Sequence, residues 1–429
     1  MERVKLIKAV LEALDKHNIG YCVLRNYDFL LESRNFLRQS EKSVDIVVNR
    51  DDFDRFSAIL ESLGFQTRKN SFSLKHKAFF KIEQLIPVSF DVQIGGVHWN
   101  DICYLDEKFI IGNRIRKDFL YIPSENDAFV MLLLHSVLGK RYFKPEYQKT
   151  ILSLRKSIDQ DYVKGRLENV FPTSFSKELF NLAMQGDFQG IINKKSKYIG
   201  YFIIRSPSNF GLLSLRWLWW KRKRAYPLIS VIGPDGAGKS TMAESLRMYL
   251  EQQGKKTTIV YTGRGRDQLL PFGAMGRRYK SKEKQKDKVR KPSLWKRKFL
   301  YTSMMPLFAL DLWLRYWFRI FPQLLQGRVV VTDRYCTDLM LMQHVPVWLK
   351  KGALWLFPKP ALTFYLYNNS DVLHARREEE SAAELERQLK LFAILEKSIK
   401  PIKIKTENLS KNKEEVFTLV MELLYQKWY

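Results

Sequence analysis

Between an apolar run, Leu228-Ile-Ser-Val-Ile, and a stretch with helical spacing over 239–253, the chain reads Gly233-Pro-Asp-Gly-Ala-Gly-Lys239-Ser240-Thr241. No other segment constrains the fold as tightly. The glycines let backbone N–H groups turn inward around an anion, and the helix that follows brings its positive dipole end to the same point. The spacing fits G-x-x-x-x-G-K-[ST], which predicts a nucleoside triphosphate held by Gly233, Asp235, Gly236, Ala237, Gly238, Lys239, Ser240 and Thr241. Lys239 is expected to reach the β- and γ-phosphates, and Ser240 to place its hydroxyl on Mg²⁺.

Strand-like runs at 257–261, 328–332, 362–367 and 402–405, with helical stretches between them, predict a parallel three-layer α/β sheet over 227–429. One of these runs is Arg328-Val-Val-Val-Thr-Asp333-Arg334-Tyr335. An apolar strand that ends in a carboxylate points that carboxylate at the ligand crevice. Asp333 is therefore a candidate to hold Mg²⁺ through water, and Arg334 to clamp a second phosphate with two parallel hydrogen bonds.

The glycine-rich segment, the Asp333-Arg334-Tyr335 turn and a late Arg-rich helical segment together resemble the thymidylate kinase family over about residues 226–429. The resemblance implies a five-stranded parallel sheet, ATP and Mg²⁺ as cofactors, and transfer of the γ-phosphoryl group to a nucleoside monophosphate of the dTMP type. It implies contact of Asp235 with the acceptor's sugar and of Arg334 with the acceptor's phosphate. It also implies a lid, matched by His374-Ala-Arg376-Arg377-Glu, whose Arg376 covers the donor phosphates. Lys239, Asp333, Arg334 and Arg376 are then the catalytic candidates, and Ser240 and Asp333 the metal candidates.

The family's Arg-Glu-Pro-Gly-Gly turn is replaced by Thr262-Gly-Arg264-Gly-Arg266, which leaves Arg264 as the candidate grip on the acceptor. A rough register places Asp311, with Arg315 one turn on, where the family has a base-reading arginine. That reversal argues against thymine as the acceptor base. Two other readings stay open: a kinase for a non-nucleotide acceptor such as a sugar or glycan near the membrane, and an ATP-binding regulatory module without efficient turnover.

Residues 1–200 alternate short strands and helices and then turn helical, predicting an α+β domain with a helical tail. Within it, Val23-Leu-Arg-Asn-Tyr-Asp, Ser43-Val-Asp45-Ile-Val-Val and Val88-Ser-Phe-Asp91-Val are similar to minimal nucleotidyltransferases. Those domains hold two Mg²⁺ ions with three carboxylates. Ser43 stands where the first carboxylate belongs, and Arg25-Asn26 replaces the Gly-Ser phosphate turn. The expectation is a degenerate transferase fold used for binding or regulation; a working transferase and a different fold are the alternatives. His98 and His135 read as packing or surface histidines.

Charge supplies one further constraint. The chain has 73 basic and 45 acidic residues, a net +28, and residues 201–300 hold 24 and 6 of them. This excludes a uniformly basic coat and points to one basic zone facing an anion. Lys221 to Arg224 follows Trp217, Trp219 and Trp220 in a joint over 201–226, and residues 277–298, within an insertion over 264–298, hold 12 basic residues. Tryptophan beside lysine and arginine suits peripheral contact with an anionic membrane surface. No recognition spacing supports nucleic acid as the partner. The expected partners are ATP and a phosphate-bearing small-molecule acceptor, with a homodimer as an open possibility. The N-terminal helix has charges threaded through its apolar positions, so the expected location is cytoplasmic, with the inner face of the membrane as the docking surface.

Overall fold

The computed structural model describes residues 2–25, 27, 30, 43–68, 73–205, 211, 214–215, 227–263, 267–270, 294–377 and 380–427. The chain divides into two compact units, Met1–Lys223 with Tyr425–Lys427, and Arg224–Leu424.

In the first unit, β1 (Tyr21–Arg25), β2 (Val44–Val48), β3 (Gln66–Thr67), β4 (His76–Glu83) and β5 (Ile86–Ile94) form a mixed sheet in the order β1-β2-β5-β4-β3. Only β2 and β5 run parallel. Because side chains alternate along a strand, the sheet feeds two cores. Tyr21, Val23, Ile46 and Val48 pack with Ile7, Leu11, Phe56 and Leu60 of the helices Glu2–Lys16 and Phe53–Ser62. Cys22, Leu24 and Val47 pack with Phe129, Leu133, Leu167 and Phe202 of a helical tail that runs from Glu125–Leu134 to Lys195–Ile204. Two hairpins, β6 (Gly96–Trp99) with β7 (Ile102–Asp106) and β8 (Ile115–Lys117) with β9 (Leu120–Ile122), are additional to the expected elements. Their strands are three to five residues long, and β8 is exposed throughout, so they carry little apolar alternation.

The second unit is a five-stranded, all-parallel sheet of β10 (Leu228–Ile232), β11 (Thr257–Tyr261), β12 (Val329–Asp333), β13 (Leu362–Tyr367) and β14 (Ile402–Lys405), in the order β11-β12-β10-β13-β14. This is the expected α/β fold class. Every residue of β10 and β12 is buried, as in a parallel sheet covered on both faces. The chain passes from β10 to β11 and β12 on one side and to β13 and β14 on the other. Such a switch opens a crevice at the carboxyl ends of the strands.

The helix Leu294–Arg315 carries two buried charges near its C-terminal end. Asp311 Oδ1 accepts from the backbone N–H groups of Leu269 and Leu270, both at 2.8 Å, while its Oδ2 pairs with Arg315. Arg315 Nη1 donates to the Gly263 carbonyl at 2.9 Å. Both charges are thereby spent on tying Gly263 and Leu269–Leu270 to the helix, so Asp311 is a structural anchor and not an outward-facing base reader. Among the described residues no helix is long and apolar enough to cross a membrane.

Removing one member of a buried pair leaves the other charge uncompensated, at about 3–5 kcal/mol. Asp311→Asn is expected to lower stability by that order, and Asp311→Asn with Arg315→Met by less than the single change. Urea unfolding of the three proteins measures both.

Candidate active site

The loop after β10 owes its shape to glycine. Gly233 has φ 152° and Gly236 φ 81°; a Cβ on Gly233 would stand 2.2 Å from the Leu366 carbonyl oxygen, and on Gly236 2.6 Å from that of Leu373. Backbone cannot yield as a side-chain tip can, so the loop presses against the end of β13 and the helix Ser370–Arg376 only because those side chains are missing. The helix Lys239–Gln252 then starts with Gly238 as its N-cap and no side-chain cap, which leaves its first-turn N–H groups to another acceptor.

Four side chains converge here. Lys239 is buried and its Nζ donates to the Pro234 carbonyl at 2.6 Å, 3.7 Å from Asp235 Oδ1. Ser240 Oγ donates to Asp333 Oδ2 at 2.6 Å, joining the first turn of the helix to the tip of β12. A hydroxyl keeps its lone pairs while it donates, so this pair offers oxygen donors alone, the chemistry that a hard ion such as Mg²⁺ takes. The residues present therefore fit the ion. Among the described residues no group of three or more His, Cys, Asp or Glu side chains could hold a metal.

Arg334 follows directly. Its φ is 70°, a left-handed conformation uncommon for any residue but glycine. Its N–H donates to the Val231 carbonyl at 2.9 Å and its carbonyl accepts from Thr262 Oγ1 at 2.8 Å, so the turn is held from both sides. The guanidinium then forks, with Nη2 donating to Asp235 Oδ1 at 2.5 Å and Nη1 to Asp338 Oδ2 at 3.2 Å. Residues 231–420 match the family model described as thymidylate kinase. The C-terminal half is thymidylate kinase-like. No curated protein matches the sequence.

In this kinase-like unit the charges are mutually adjusted. Burial, with the Arg334 guanidinium adding to it, lowers the Lys239 ammonium to about 8 against the opposing pull of Asp235, Asp338 and Asp333. Burial raises the Asp235 carboxyl, but Arg334, Lys239 and Arg377 override it and hold the group below its ordinary range. Burial also works against the charge on Arg334, and Asp338 and Asp235 more than offset it.

Gly233, Asp235, Gly236, Ala237, Gly238, Lys239, Ser240, Thr241, Asp333 and Arg334 all lie at the carboxyl ends of β10 and β12. Arg376 does not join them. It ends its helix and donates to Thr406 Oγ1 at 3.0 Å and to the Thr406 carbonyl at 2.6 Å, beyond β14. At Arg377 the backbone turns extended (φ −156°, ψ 101°), and it is this arginine whose charge acts on Asp235. Arg264 and Arg266 lie outside the described residues, as do 277–293 of the basic run and 216–226 of the joint. Two partners are additional to the sequence reading. Asp338 follows Arg334 at i,i+4, a spacing that could have marked it. Buried Gln388 accepts from the Asp235 N–H at 3.2 Å, and its one sequence signal is a lone amide in an apolar helix face.

In the N-terminal unit Asp45 and Asp91 are register partners across β2 and β5. Arg25 Nε donates to Asp45 Oδ2 at 2.7 Å, and Ser89 Oγ donates to Ser43 Oγ at 2.9 Å. The serines thus pair two residues before the carboxylates, and Asn26 and Asp28 lie outside the described residues.

A phosphate chain favours the charged ammonium of Lys239, so ATP binding above pH 8 should take up a proton. Affinity is then expected to fall as pH rises from about 8, with a slope approaching one proton. Calorimetric titration of ATP in two buffers of different ionisation enthalpy reads this uptake. Equal heats in the two buffers across pH 8–9.5 would exclude Lys239 from the contact.

Proposed function

We propose that the C-terminal unit is an ATP- and Mg²⁺-dependent kinase that transfers the γ-phosphoryl group to a phosphate-bearing acceptor, a nucleoside monophosphate in the leading case. The observation that carries it is the convergence of Lys239, Ser240, Asp333, Arg334 and Asp235 at one strand-end crevice. Phosphoryl transfer asks for positioned charge more than for covalent help. Lys239 and the first-turn N–H groups orient the donor's β- and γ-phosphates. Ser240 and Asp333 would hold Mg²⁺, which would supply positive charge to offset that of the donor phosphates. Arg334 takes the acceptor phosphate, and Asp235 steadies that guanidinium and faces the acceptor's sugar. The bond between the γ-phosphorus and its bridging oxygen breaks, a bond from an acceptor phosphate oxygen forms, and ADP leaves. An ionised acceptor phosphate has no proton to lose, so no general base is required. Arg377, whose charge reaches Asp235, is the better candidate for the arginine over the transferring group, with Arg376 supporting the same segment from Thr406.

A specific observation favours a second reading of where the acceptor sits. Trp295, Trp348 and Trp355 are 71%, 73% and 81% exposed, and Phe299 is also exposed. Exposed Lys296 and Lys298 accompany the first helix, and Lys351 and Lys359 the helix Val347–Trp355. Interfacial tryptophan with lysine suits peripheral docking on anionic lipid, and an acceptor carried at a membrane, such as a sugar or glycan, would fit it.

ATP-to-ADP conversion stimulated by dTMP or dUMP is the expected result for the nucleotide acceptor; indifference to every monophosphate moves the choice to the second. Lys239→Ala should slow turnover by about a hundredfold or more. Turnover kept at the parent rate by that variant would refute the site, and tight ATP binding without any acceptor-dependent turnover would make the unit a nucleotide-binding module. Co-sedimentation with anionic liposomes at low salt, absent with neutral ones, is the corresponding result for membrane docking.

A further inference from the structure

The side of the N-terminal sheet that faces the helical tail holds a group of cations that the kinase reading leaves without a task, and three local irregularities build it. The first is in β1. Val23 pairs with Ile46 and Arg25 with Asp45, so Leu24 is an inserted residue. A bulge of this kind bends the strand and re-aims the next side chain, and here it sets Arg25 beside Asp45. The second is in the tail, where the helix Glu125–Leu134 runs on into a π-helical turn, His135–Lys140, closed by Arg141 at φ 64°. Single π-turns inside helices concentrate at functional sites.

The third irregularity is unsatisfied hydrogen bonding. Arg25 gives Nε to Asp45, yet its Nη1 is buried and finds no hydrogen-bond partner among the described residues. His135 Nε2 is buried in the same condition. Burying a cationic donor without an acceptor is costly, and native proteins rarely do so without a ligand or water to complete it. Lys140 and Lys144 stand nearer to solvent, the first exposed and the second half-buried.

Charge follows the same pattern. Burial foremost, then Arg25, Lys140 and Lys144, hold the His135 imidazole neutral, down to about 2, and Tyr147 lies against its ring. Burial, Lys144 and Arg25 likewise depress the Lys140 ammonium, with Asp45 opposing them. On the acidic side, Asp45 is already engaged by Arg25. Burial foremost, with Asp45 adding to it, raises the Asp91 carboxyl against His76, Arg68 and Arg25. Positive charge is therefore in excess, with Arg25 Nη1 and His135 Nε2 at the floor and two ammonium groups toward solvent.

We propose that Arg25, His135, Lys140 and Lys144 form a second anion site, which takes the phosphate group of a phosphorylated small molecule without a metal ion. A phosphate dianion brings three terminal oxygens and two negative charges to the Arg25 guanidinium, the His135 imidazole and both lysines, against the two oxygens and single charge of a carboxylate. The burial of Arg25 Nη1 and His135 Nε2 suits a terminal phosphate over the diester backbone of a nucleic acid. Asp45, in this arrangement, orients the Arg25 guanidinium.

His135 reports on this site from within the N-terminal unit, so its signal is independent of the kinase reading. The full chain, with carbon-13-labelled histidine and with His135→Gln for assignment, is titrated by NMR in EDTA with pyrophosphate, inorganic phosphate or AMP. The expected result is a saturable shift of the His135 imidazole signal. Lys140→Ala with Lys144→Ala should weaken the midpoint by about tenfold or more, and Lys239→Ala should leave it unchanged. A midpoint lower for AMP than for inorganic phosphate supports an esterified ligand, and equal midpoints support free phosphate. No shift at millimolar concentrations would overturn the proposal. So would a shift that needs Mg²⁺, one indifferent to the double substitution, or one lost in Lys239→Ala.

Discussion

The second unit depends on the clasp made by one arginine. Arg334 sits in a left-handed conformation that costs about 1–3 kcal/mol in a residue with a side chain. Contacts from three directions hold it there. Val231 fixes its N–H, Thr262 fixes its carbonyl, and Asp235 and Asp338 take its guanidinium. Those partners belong to β10, the segment after β11, the glycine-rich loop and the turn Cys336–Leu341. One strained residue thus joins four segments at the strand-end crevice. Without the clasp the Ser240–Asp333 contact would lose its reference point at the tip of β12.

The same crowding tunes the site. Lys239 lies in a dry position beside another cation, which works against its charge, while three carboxylates work for it. An ammonium held near its titration point gains more from a phosphate chain than one already satisfied. Asp235 is the counterpart, an acid kept ionised by Arg334, Lys239 and Arg377 despite burial. The glycines at 233 and 236 allow this density, because any side chain there would meet carbonyl oxygen.

Much of this unit was legible in the sequence because its signals are local. A glycine-rich turn between an apolar strand and a helix fixes both its neighbours, and a buried parallel strand announces itself as a run such as Val329-Val-Val-Thr-Asp333. The less legible parts depend on direction or on distance along the chain. Arg376 and Arg377 differ by one residue, and only the helix end at Arg376 decides which turns toward Asp235. Asp311 reads as a reversed charge at a base-reading position, but its partners at Gly263, Leu269 and Leu270 come through a fold that spacing cannot give. In the N-terminal unit β1, β2 and β5 are readable as short strand-like runs. The bulge at Leu24 and the π-turn at His135 are not, since each adds one residue to a regular period and leaves no trace in composition.

The central claim is that the crevice at the ends of β10 and β12 moves a phosphoryl group onto another phosphate. Phosphorus-31 NMR of the protein with ATP, Mg²⁺ and each nucleoside monophosphate in turn, dTMP among them, follows this directly, because a newly formed phosphate–phosphate bond gives coupled resonances. The account predicts the paired signals of a nucleoside diphosphate growing in step with those of ADP. ADP accompanied by inorganic phosphate alone, with dTMP and every other monophosphate recovered unchanged, would contradict it.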